Sequence, residues 1–252
     1  MKKYIVTLFL LPLIACAKNK NQLENPKTVQ QITTNIDIPA TNHARWNSLL
    51  QKYVSKNGKV NYAGFQKDSK ELKLYLNELA TNAPTNSWSK NATLAFWINA
   101  YNAYTVQLIV TNYPTKSIKD ISNPWGAKFI LIGGKKYSLE EIENEILRKM
   151  NEPRIHFAIN CASLSCPDLL NEAYTASKLE QQLKMVTTDF INDPTKNTIS
   201  TSRVEVSKIF DWFAADFKQK GTVIDFINQY SRSKINGSAK TSYKYYNWNL
   251  NN

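Results

Sequence analysis

The sequence is poor in the residues that most often carry catalytic or metal-binding chemistry. Its 252 residues include only two histidines and three cysteines. Glycine is also scarce, with seven residues, whereas asparagine and lysine are abundant, which is typical of helices joined by polar loops. The search for a functional site can therefore start from a handful of side chains.

The chain also lacks an apolar run that would cross a membrane in the mature protein. Residues 5–15 are apolar but too few, and the longer apolar stretch at 89–112 is interrupted by Asn99, Asn102 and Gln107. Hydrophobic residues still make up 42% of the chain and aromatic residues 12%. This composition is sufficient for a hydrophobic core and argues against global disorder.

No arginine-rich stripe, run of like charges or recognised nucleic-acid-reading motif accompanies the formal net charge of +12. A basic protein can attract lipid headgroups, cell-wall carboxylates or nucleic acid. Scattered lysines on an ordinary solvated surface produce the same charge. We favour the solvated surface and expect no nucleic-acid partner.

The amino-terminal residues have the pattern of a lipoprotein leader. Lys2 and Lys3 precede the apolar stretch, and the segment ends in Leu-Ile-Ala followed by Cys16, which resembles the lipobox of bacterial lipoproteins. We therefore predict a signal peptide at residues 1–15 and a lipid, with palmitate among its acyl chains, on Cys16. The alternative is an ordinary secretory signal peptide.

Lipidation at Cys16 predicts a protein of the bacterial cell envelope that is anchored to a membrane by its lipid. No acidic cluster follows this cysteine, so we expect the protein to face the periplasm. Residues 16–41 are polar and aperiodic and are predicted to be a flexible tether. Residues 42–252 are predicted to be one globular domain, without an internal repeat or a second domain.

Hydrophobic periodicity in this domain predicts helices mixed with local hairpins, which is the α+β class. We expect a single domain of several helices packed on a small, mainly antiparallel sheet. One predicted helix begins near Asn42, and the others lie at 72–79, 89–112, 139–150, 176–191 and 222–231. Predicted strands lie at 59–62, 128–132, 135–138, 197–202, 203–207 and 244–250. Gly133-Gly134 is predicted to form a hairpin turn, and Ser87 or Ser89 to cap the helix at 89–112. Ser138 and Glu141 are predicted to form a capping box for the helix at 139–150, on which Glu143 is mostly exposed.

One stretch, residues 154–167, holds most of the reactive side chains. It reads RIHFAINCASLSCP and contains His156, Cys161 and Cys166. An apolar run at 155–160 predicts a strand, on which His156 and Asn160 would share a face, so Asn160 is a candidate to orient the imidazole. Pro167 suits the first turn of a helix, and the amino terminus of such a helix would lower the pKa of the Cys166 thiol.

Several longer motifs resemble the family called domain of unknown function 547. These are VNYAGF (60–65), LAFWINAYNAYTV (94–106), FILIGGKKYSLEEIENEILR (129–148), the 154–167 stretch and YYNWNLN (245–251). The family has no firmly assigned reaction, and its fold is distantly similar to papain-like and transglutaminase-like thiol enzymes. Its bacterial pattern of one histidine and two cysteines falls on His156, Cys161 and Cys166, and a third catalytic partner is left unassigned.

Three interpretations of this stretch follow. The first is a non-catalytic binding or assembly module, stapled by a disulfide between Cys161 and Cys166, that meets an envelope protein or a glycan through exposed aromatic side chains. The second is a thiol-dependent hydrolase or acyltransferase that uses His156, with Asn160, and one of the two cysteines. The third is a zinc site built on the same two cysteines and His156. We favour the first and expect no cofactor.

Overall fold

The computed structural model describes Met1 and residues 41–252. Almost all of the predicted leader and tether lie outside the described residues, and both remain predictions. The compact unit that includes the described domain runs from Asp37 to Asn252. Within residues 41–252, nine α-helices and two small, mostly antiparallel sheets confirm the α+β class. No helix in this part of the chain combines the length and apolarity that a membrane crossing requires.

The first three helices form one side of the core. They are α1 (Ala44–Tyr53), α2 (Tyr62–Lys67) and α3 (Ser69–Thr81). The strand predicted at 59–62 is wrong: Val60 makes only an isolated bridge to Val54, and helix α2 follows directly. The local reason is the side chain of Asn61, which accepts a hydrogen bond from the Gly64 N–H at 2.8 Å and so caps a helix.

Helix α4 (Lys90–Asn112) is buried around most of its circumference, as its sequence predicts. Ser89 caps it by accepting a hydrogen bond from the Ala92 N–H at 3.1 Å. Asn99 and Asn102 are 0% and 2% exposed, and each fixes a distant backbone segment rather than a functional side chain. Asn99 bonds both backbone groups of Tyr174, whereas Asn102 donates to the Ala158 carbonyl and accepts from the Asn160 N–H.

A hairpin follows as predicted, and a helical run comes after it. Strands β1 (Ile130–Ile132) and β2 (Lys135–Tyr137) pair antiparallel across Gly133 and Gly134, whose φ angles of 58° and 76° suit a two-residue turn that favours glycine. Ser138 and Glu141 form the predicted capping box at the start of α5 (Leu139–Glu141). The run then continues as a π-helical segment, Ile142–Leu147, and a 3₁₀ turn, Arg148–Met150.

One side chain of this segment faces inward against the sequence prediction. The sequence predicts an ordinary helix with Glu143 mostly exposed, but Glu143 is half-buried and accepts a hydrogen bond from the Tyr101 hydroxyl at 3.3 Å. Glu143 lies three and four residues before Ile146 and Leu147, so helical spacing places it on the face of these apolar residues. The prediction was therefore wrong on this carboxyl group.

The remaining elements complete the second sheet and the wall opposite α4. Helix α6 (Leu179–Asn192) precedes β3 (Thr198–Ile199), which pairs antiparallel with β4 (Arg203–Val206). Strand β5 (Lys240–Tyr243) pairs parallel with β4. Three short helices lie between β4 and β5: α7 (Ile209–Trp212), α8 (Ala214–Phe217) and α9 (Val223–Asn228).

The final strand predicted at 244–250 is also wrong. The strand lies earlier, at Lys240–Tyr243, and the segment after it makes only isolated bridges, from Asn249 to Ser117 and from Leu250 to Ser163. Tyr246 and Leu250 are buried and Trp248 is half-buried, so the two-residue alternation is real. The segment crosses two loops instead of meeting a strand along its length, and alternation alone does not supply a hydrogen-bonding neighbour.

Candidate functional site

The stretch around His156 does not form the predicted strand. Pro153–Phe157 is a 3₁₀ helix, in which Pro153 occupies the first position and the Glu152 side chain accepts a hydrogen bond from the Arg154 N–H at 3.2 Å. A proline and a capping carboxylate at a helix start favour helical backbone here over the apolar pattern of 155–160. The chain leaves this turn as a loop that carries both cysteines.

Pro167 does not begin a helix, and the next helix is α6, which starts at Leu179. Cys166 therefore does not lie at a helix amino terminus, and no helix dipole acts on its sulfur. Asp168 is likewise not a helix-start residue. The Asn160 amide, which donates to the Pro167 carbonyl at 2.7 Å, holds the chain in this non-helical course.

The two cysteines form a disulfide, Cys161–Cys166, whose Cα atoms are 6.1 Å apart. They are the only cysteines among residues 41–252, so both thiols of the described domain are oxidised. Between them, Ala162 adopts a left-handed conformation with φ 60°, which few alanines adopt without support. The Asn160 side chain provides that support by accepting a hydrogen bond from the Ala162 N–H at 2.8 Å.

The two cysteines differ in the polar contacts of their sulfurs and in exposure. Cys166 Sγ accepts a hydrogen bond from the Cys161 N–H at 3.0 Å and another from the Tyr246 hydroxyl at 3.3 Å. Cys161 Sγ lies 3.4 Å from the Tyr246 hydroxyl and 3.5 Å from Ser163 Oγ. Cys161 is half-buried, whereas Cys166 is 3% exposed.

His156 is oriented by Asp216 and not by Asn160. Its Nε2 lies 2.8 Å from Asp216 Oδ2, and its ring stacks on Phe213 with centroids 4.0 Å apart. The Asn160 side chain is occupied by backbone groups of its own loop. The predicted role of Asn160 depended on a strand that placed it on one face with His156, and the 3₁₀ helix removes that relation.

Asp216 is itself held by Arg148, which donates through Nε at 2.6 Å and Nη2 at 3.0 Å. Burial alone would raise the pKa of Asp216, but hydrogen bonds from His156 and Arg148 outweigh this and hold that pKa well below its usual range. Asp216 is therefore ionised at neutral pH. This two-donor arrangement fixes the carboxylate in both position and charge.

The same surroundings keep the His156 imidazole neutral. Burial lowers the pKa of His156 below its usual value, and the hydrogen bond with Asp216 opposes this with a smaller effect. The carboxylate accepts the proton of Nε2, so Nδ1 carries the lone pair. Nδ1 is buried and has no hydrogen-bond partner among residues 41–252. A neutral, oriented imidazole with a free lone pair is able to accept a proton.

A cavity of about 500 Å³ brings these groups together. His156, Cys161 and Cys166 all line it, and Asn160 does not. Six aromatic side chains form much of its wall: Tyr101, Trp125, Trp212, Phe213, Tyr246 and Trp248. The size falls in the usual range of small-molecule sites, which are mostly apolar with a few polar groups.

Glu143 supplies the most perturbed carboxyl group of this cavity. Burial raises the pKa of Glu143 to about 7, although the hydrogen bond from Tyr101 and the charge of Arg148 lower it. Glu143 lines the cavity, and the negative charge of the ionised Asp216 also raises the pKa of Glu143. Glu143 can therefore gain or lose a proton near neutral pH.

No group of three or more histidine, cysteine, aspartate or glutamate side chains in residues 41–252 is arranged to hold a metal ion. Both sulfurs are bound to each other, and His156 directs Nε2 to Asp216. Zinc requires thiolate sulfur, not disulfide sulfur. The residues of the zinc interpretation thus have other partners in this structure.

Sequence reasoning missed Asp216, Arg148, Glu143 and Tyr246. Asp216 left a weak signal, since it is a carboxylate inside the aromatic run from Phe213 to Phe217. A charged residue in such a run is usually paired when the run is buried. The other three carry no local signal that distinguishes them from surface or core residues.

Comparison with protein families gives a match that covers part of this site. Residues 85–191 match the family model described as Protein of unknown function, DUF547. This DUF547 match covers less than half of the 252-residue chain. Two of the motifs that resemble the family, at 60–65 and 245–251, lie outside the matched range. No curated protein and no solved structure gives a significant match.

The DUF547 match divides the cavity into two contributions. It contains Glu143, His156 and the disulfide. Asp216, which orients His156, and the aromatic residues Trp212, Tyr246 and Trp248 come from the chain beyond residue 191. The matched segment alone therefore does not complete the site.

Proposed function

We propose that this domain binds a small organic ligand in the cavity beside His156. The aromatic wall around a few polar groups carries the proposal, because aromatic side chains supply large, rigid contact area with little loss of conformational entropy. Trp212 is 47% exposed at this site, and Trp125 and Trp248 are half-buried beside it. A disulfide in the wall supports a binding module over a thiol enzyme, since it leaves no thiolate in this state.

The polar groups of the cavity indicate the chemistry of the ligand. Glu140, Glu143, Asn123 and Asn144 offer carboxyl and amide groups next to the indole rings. A suitable ligand would present an apolar face to the indole rings and hydroxyl or amide groups to the carboxyl and amide side chains. Amino-sugar oligosaccharides have this character, and we propose a glycan of the cell envelope as the ligand.

Calorimetry and tryptophan fluorescence with N-acetylglucosamine oligosaccharides test this proposal. Binding should be measurable, and Trp248→Ala should weaken it at least about ten-fold, the loss of one aromatic contact of about 1.4 kcal/mol. Trp88→Ala is the matched control, because Trp88 packs on Phe96 and does not line the cavity. Failure of these oligosaccharides to bind, or equal weakening by both substitutions at equal melting temperature, would count against a glycan site.

A second candidate function is thiol-dependent hydrolysis or acyl transfer after reduction of the disulfide. The observation that favours it is the Asp216–His156 pair, whose imidazole has an unpartnered Nδ1 and lines the same cavity as both cysteines. In that reaction His156 is the base and Cys161, the more exposed sulfur, is the nucleophile. Asp216 takes the orienting role that was expected of Asn160.

Reduced protein incubated with p-nitrophenyl acetate tests the second candidate. An acyl adduct on Cys161, found by mass spectrometry and much reduced in His156→Gln, is the expected result. Rapid reaction of one cysteine with iodoacetamide at pH 6 would agree with it. Slow alkylation of both cysteines at this pH would eliminate the thiol enzyme without affecting the binding proposal.

We also propose that the domain is held at a membrane of the bacterial cell envelope by a lipid on Cys16. The support is the lipobox-like sequence that ends at this cysteine. In a bacterial host, the wild-type chain should incorporate labelled palmitate and sediment with membranes. Cys16→Ser should abolish both, and label retained by Cys16→Ser would refute the anchor.

A further inference from the structure

The two cysteines of the disulfide differ in exposure. Cys161 is half-buried and Cys166 is 3% exposed, although both line the cavity wall. Thiol–disulfide exchange begins when a thiolate attacks one sulfur, and access decides which sulfur is attacked. An incoming thiol therefore reaches Cys161 first, and Cys166 becomes the leaving group.

The hydrogen bonds at the disulfide favour the same direction. Cys166 Sγ already accepts the Cys161 N–H at 3.0 Å and the Tyr246 hydroxyl at 3.3 Å. Hydrogen bonds to a thiolate lower the pKa of the leaving thiol, and a lower pKa makes it leave faster. Burial raises the pKa of Tyr246, so its hydroxyl keeps the proton that it donates.

Cys161 has weaker support for negative charge. Its sulfur has only longer contacts to hydroxyl groups, 3.4 Å to Tyr246 and 3.5 Å to Ser163. Negative charge that develops on opening the bond is thus better stabilised on Cys166 than on Cys161. Exposure and hydrogen bonding are independent observations, and they assign the same polarity to the bond.

His156 provides a proton acceptor for the incoming thiol. Its Nδ1 is buried, unpartnered among residues 41–252, and belongs to a side chain that lines the same cavity. The thiolate is the attacking species, so a base that removes the thiol proton promotes the attack. Asp216, 2.8 Å from Nε2, stabilises the imidazolium that results.

We infer that the Cys161–Cys166 disulfide is redox-active and oxidises thiols that enter the cavity. In the first step, a partner thiolate bonds to Cys161 Sγ, the bond to Cys166 breaks, and its electron pair stays on Cys166. In the second step, another thiol of the same partner attacks the partner's sulfur in the mixed disulfide, and Cys161 leaves as thiolate. The dithiol partner loses two electrons and two protons, and the two cysteines gain them.

Mass spectrometry of trapped adducts tests the polarity of this reaction. Native protein is incubated with reduced glutathione, quenched with acid and alkylated, and its cysteine peptides are analysed; a dithiol, dithiothreitol, is used in parallel. Glutathione should be found on Cys161 with Cys166 free, and dithiothreitol should give both cysteines free. Glutathione on Cys166, or a disulfide that opens only in denaturant, would overturn the inference.

Single-cysteine variants separate access from leaving-group effects. With oxidised glutathione, Cys166→Ser should form a stable adduct on Cys161. Cys161→Ser should react at Cys166 at least roughly ten-fold more slowly, because Cys166 is buried. Equal rates in the two variants, at melting temperatures that show both to be folded, would refute the proposed polarity.

Tyr246→Phe tests the hydroxyl donor, with Tyr245→Phe as its matched control because Tyr245 is 88% exposed. Loss of a hydrogen bond to a charged sulfur should slow opening by glutathione roughly ten-fold, and Tyr245→Phe should have no effect. His156→Gln should shift the pH profile of the opening rate, a readout that loss of packing alone would not move. Unchanged rates and profiles would remove Tyr246 and His156 from the reaction.

The outcome is independent of glycan binding. A variant with both cysteines replaced by serine has no disulfide chemistry but retains the indole rings of the cavity. Oligosaccharide binding by this variant would show that exchange and binding are separate properties of the domain. In the wild-type protein, absence of exchange with intact oligosaccharide binding, or the reverse, thus identifies which proposal fails.

Discussion

The two buried asparagines of helix α4 and the imidazole of the cavity beside it differ in their hydrogen bonds. The amides of Asn99 and Asn102 have both a donor and an acceptor partner in the backbone. In the cavity, His156 Nδ1 is buried without a partner in the described residues, and burial raises the pKa of Glu143 to about 7. Helix α4 also holds two unpartnered buried oxygens, Thr105 Oγ1 and Gln107 Oε1, so the contrast is between the two amides and the imidazole.

The two amides have a structural role, because each joins two backbone groups. A buried polar group that lacks a partner costs free energy, and His156 Nδ1 is such a group in a side chain that lines the cavity. Asn102 links the regions, because it fixes the backbone at Ala158 and Asn160, between His156 and the disulfide. The core thus holds the cavity wall in place through hydrogen bonds that are fully made.

Asn102→Ala should have the largest effect on stability. It leaves the Asn160 N–H and the Ala158 carbonyl without their partner inside the core, which should lower the free energy of unfolding by about 3 kcal/mol. Urea unfolding measures the loss, and Asn112→Ala, at the exposed end of α4, is the control. A loss no greater than that of the control would mean that the core tolerates unpaired groups as the cavity does.

Replacing both Cys161 and Cys166 by serine should have the next largest effect. The disulfide closes a loop with a sequence separation of 5, and the chain-entropy estimate for so short a loop is about 2 kcal/mol. Thermal unfolding with and without a reductant measures it: the reductant should lower the melting temperature of the wild type and not that of the variant. Reductant sensitivity in the variant would show that the effect arises elsewhere.

Glu143→Gln should stabilise the protein, but only at higher pH. The folded pKa of Glu143, about 7, lies above its unfolded value. Between these two pKa values the folded state retains a proton that the unfolded state loses. Glu143 therefore does not lower the free energy of unfolding below about pH 4.5, and it lowers it by the full amount above about pH 7. The variant should exceed the wild type by on the order of 1–2 kcal/mol at pH 8 and match it at pH 4.5.

The control for this substitution is Glu145→Gln, at an exposed position of the same helical segment. Urea unfolding at the two pH values gives the measurement. If Glu143→Gln changes stability equally at both, Glu143 titrates as an ordinary surface carboxyl group. The distinction between the cavity and the rest of the domain would then lose its main electrostatic support.

Ser138→Ala should have the smallest effect, because it alters a purely local feature. Loss of the capping box at the start of the helical run that carries Glu143 should cost about 1 kcal/mol. The pH dependence assigned to Glu143 should remain, since the π-helical segment and Tyr101 are unchanged. A lost pH dependence would instead show that the cap sets the position of Glu143.

Features encoded within a few neighbouring residues were predicted well. The two-glycine turn and the box of Ser138 with Glu141 occur as predicted, and Ser89 is the one of two candidate serines that caps α4, because each feature depends on contacts within one turn. The disulfide was also expected, and Cys161 and Cys166 do form it. The strand predicted at 155–160 is wrong because Pro153 and Glu152 start a 3₁₀ helix.

The partner of His156 could not be predicted in this way. Asp216 is 60 residues away in sequence, and nothing in its neighbours specifies which imidazole it meets. The hydrogen bond that Glu143 accepts comes from Tyr101, 42 residues away in sequence, and the repeat of apolar residues does not reveal it. Tyr246 reaches the sulfurs because its segment crosses the 163 loop, a contact made only after the chain has folded.

The sequence by itself determined the α+β class, most helices, the hairpin and the pair of cysteines, because periodicity, caps and turns act over short distances along the chain. Only the tertiary structure decided that His156 pairs with Asp216, that Glu143 lines a cavity with aromatic walls, and that the two sulfurs differ in exposure. Burial and long-range contact set those properties, and both depend on which distant segments pack together.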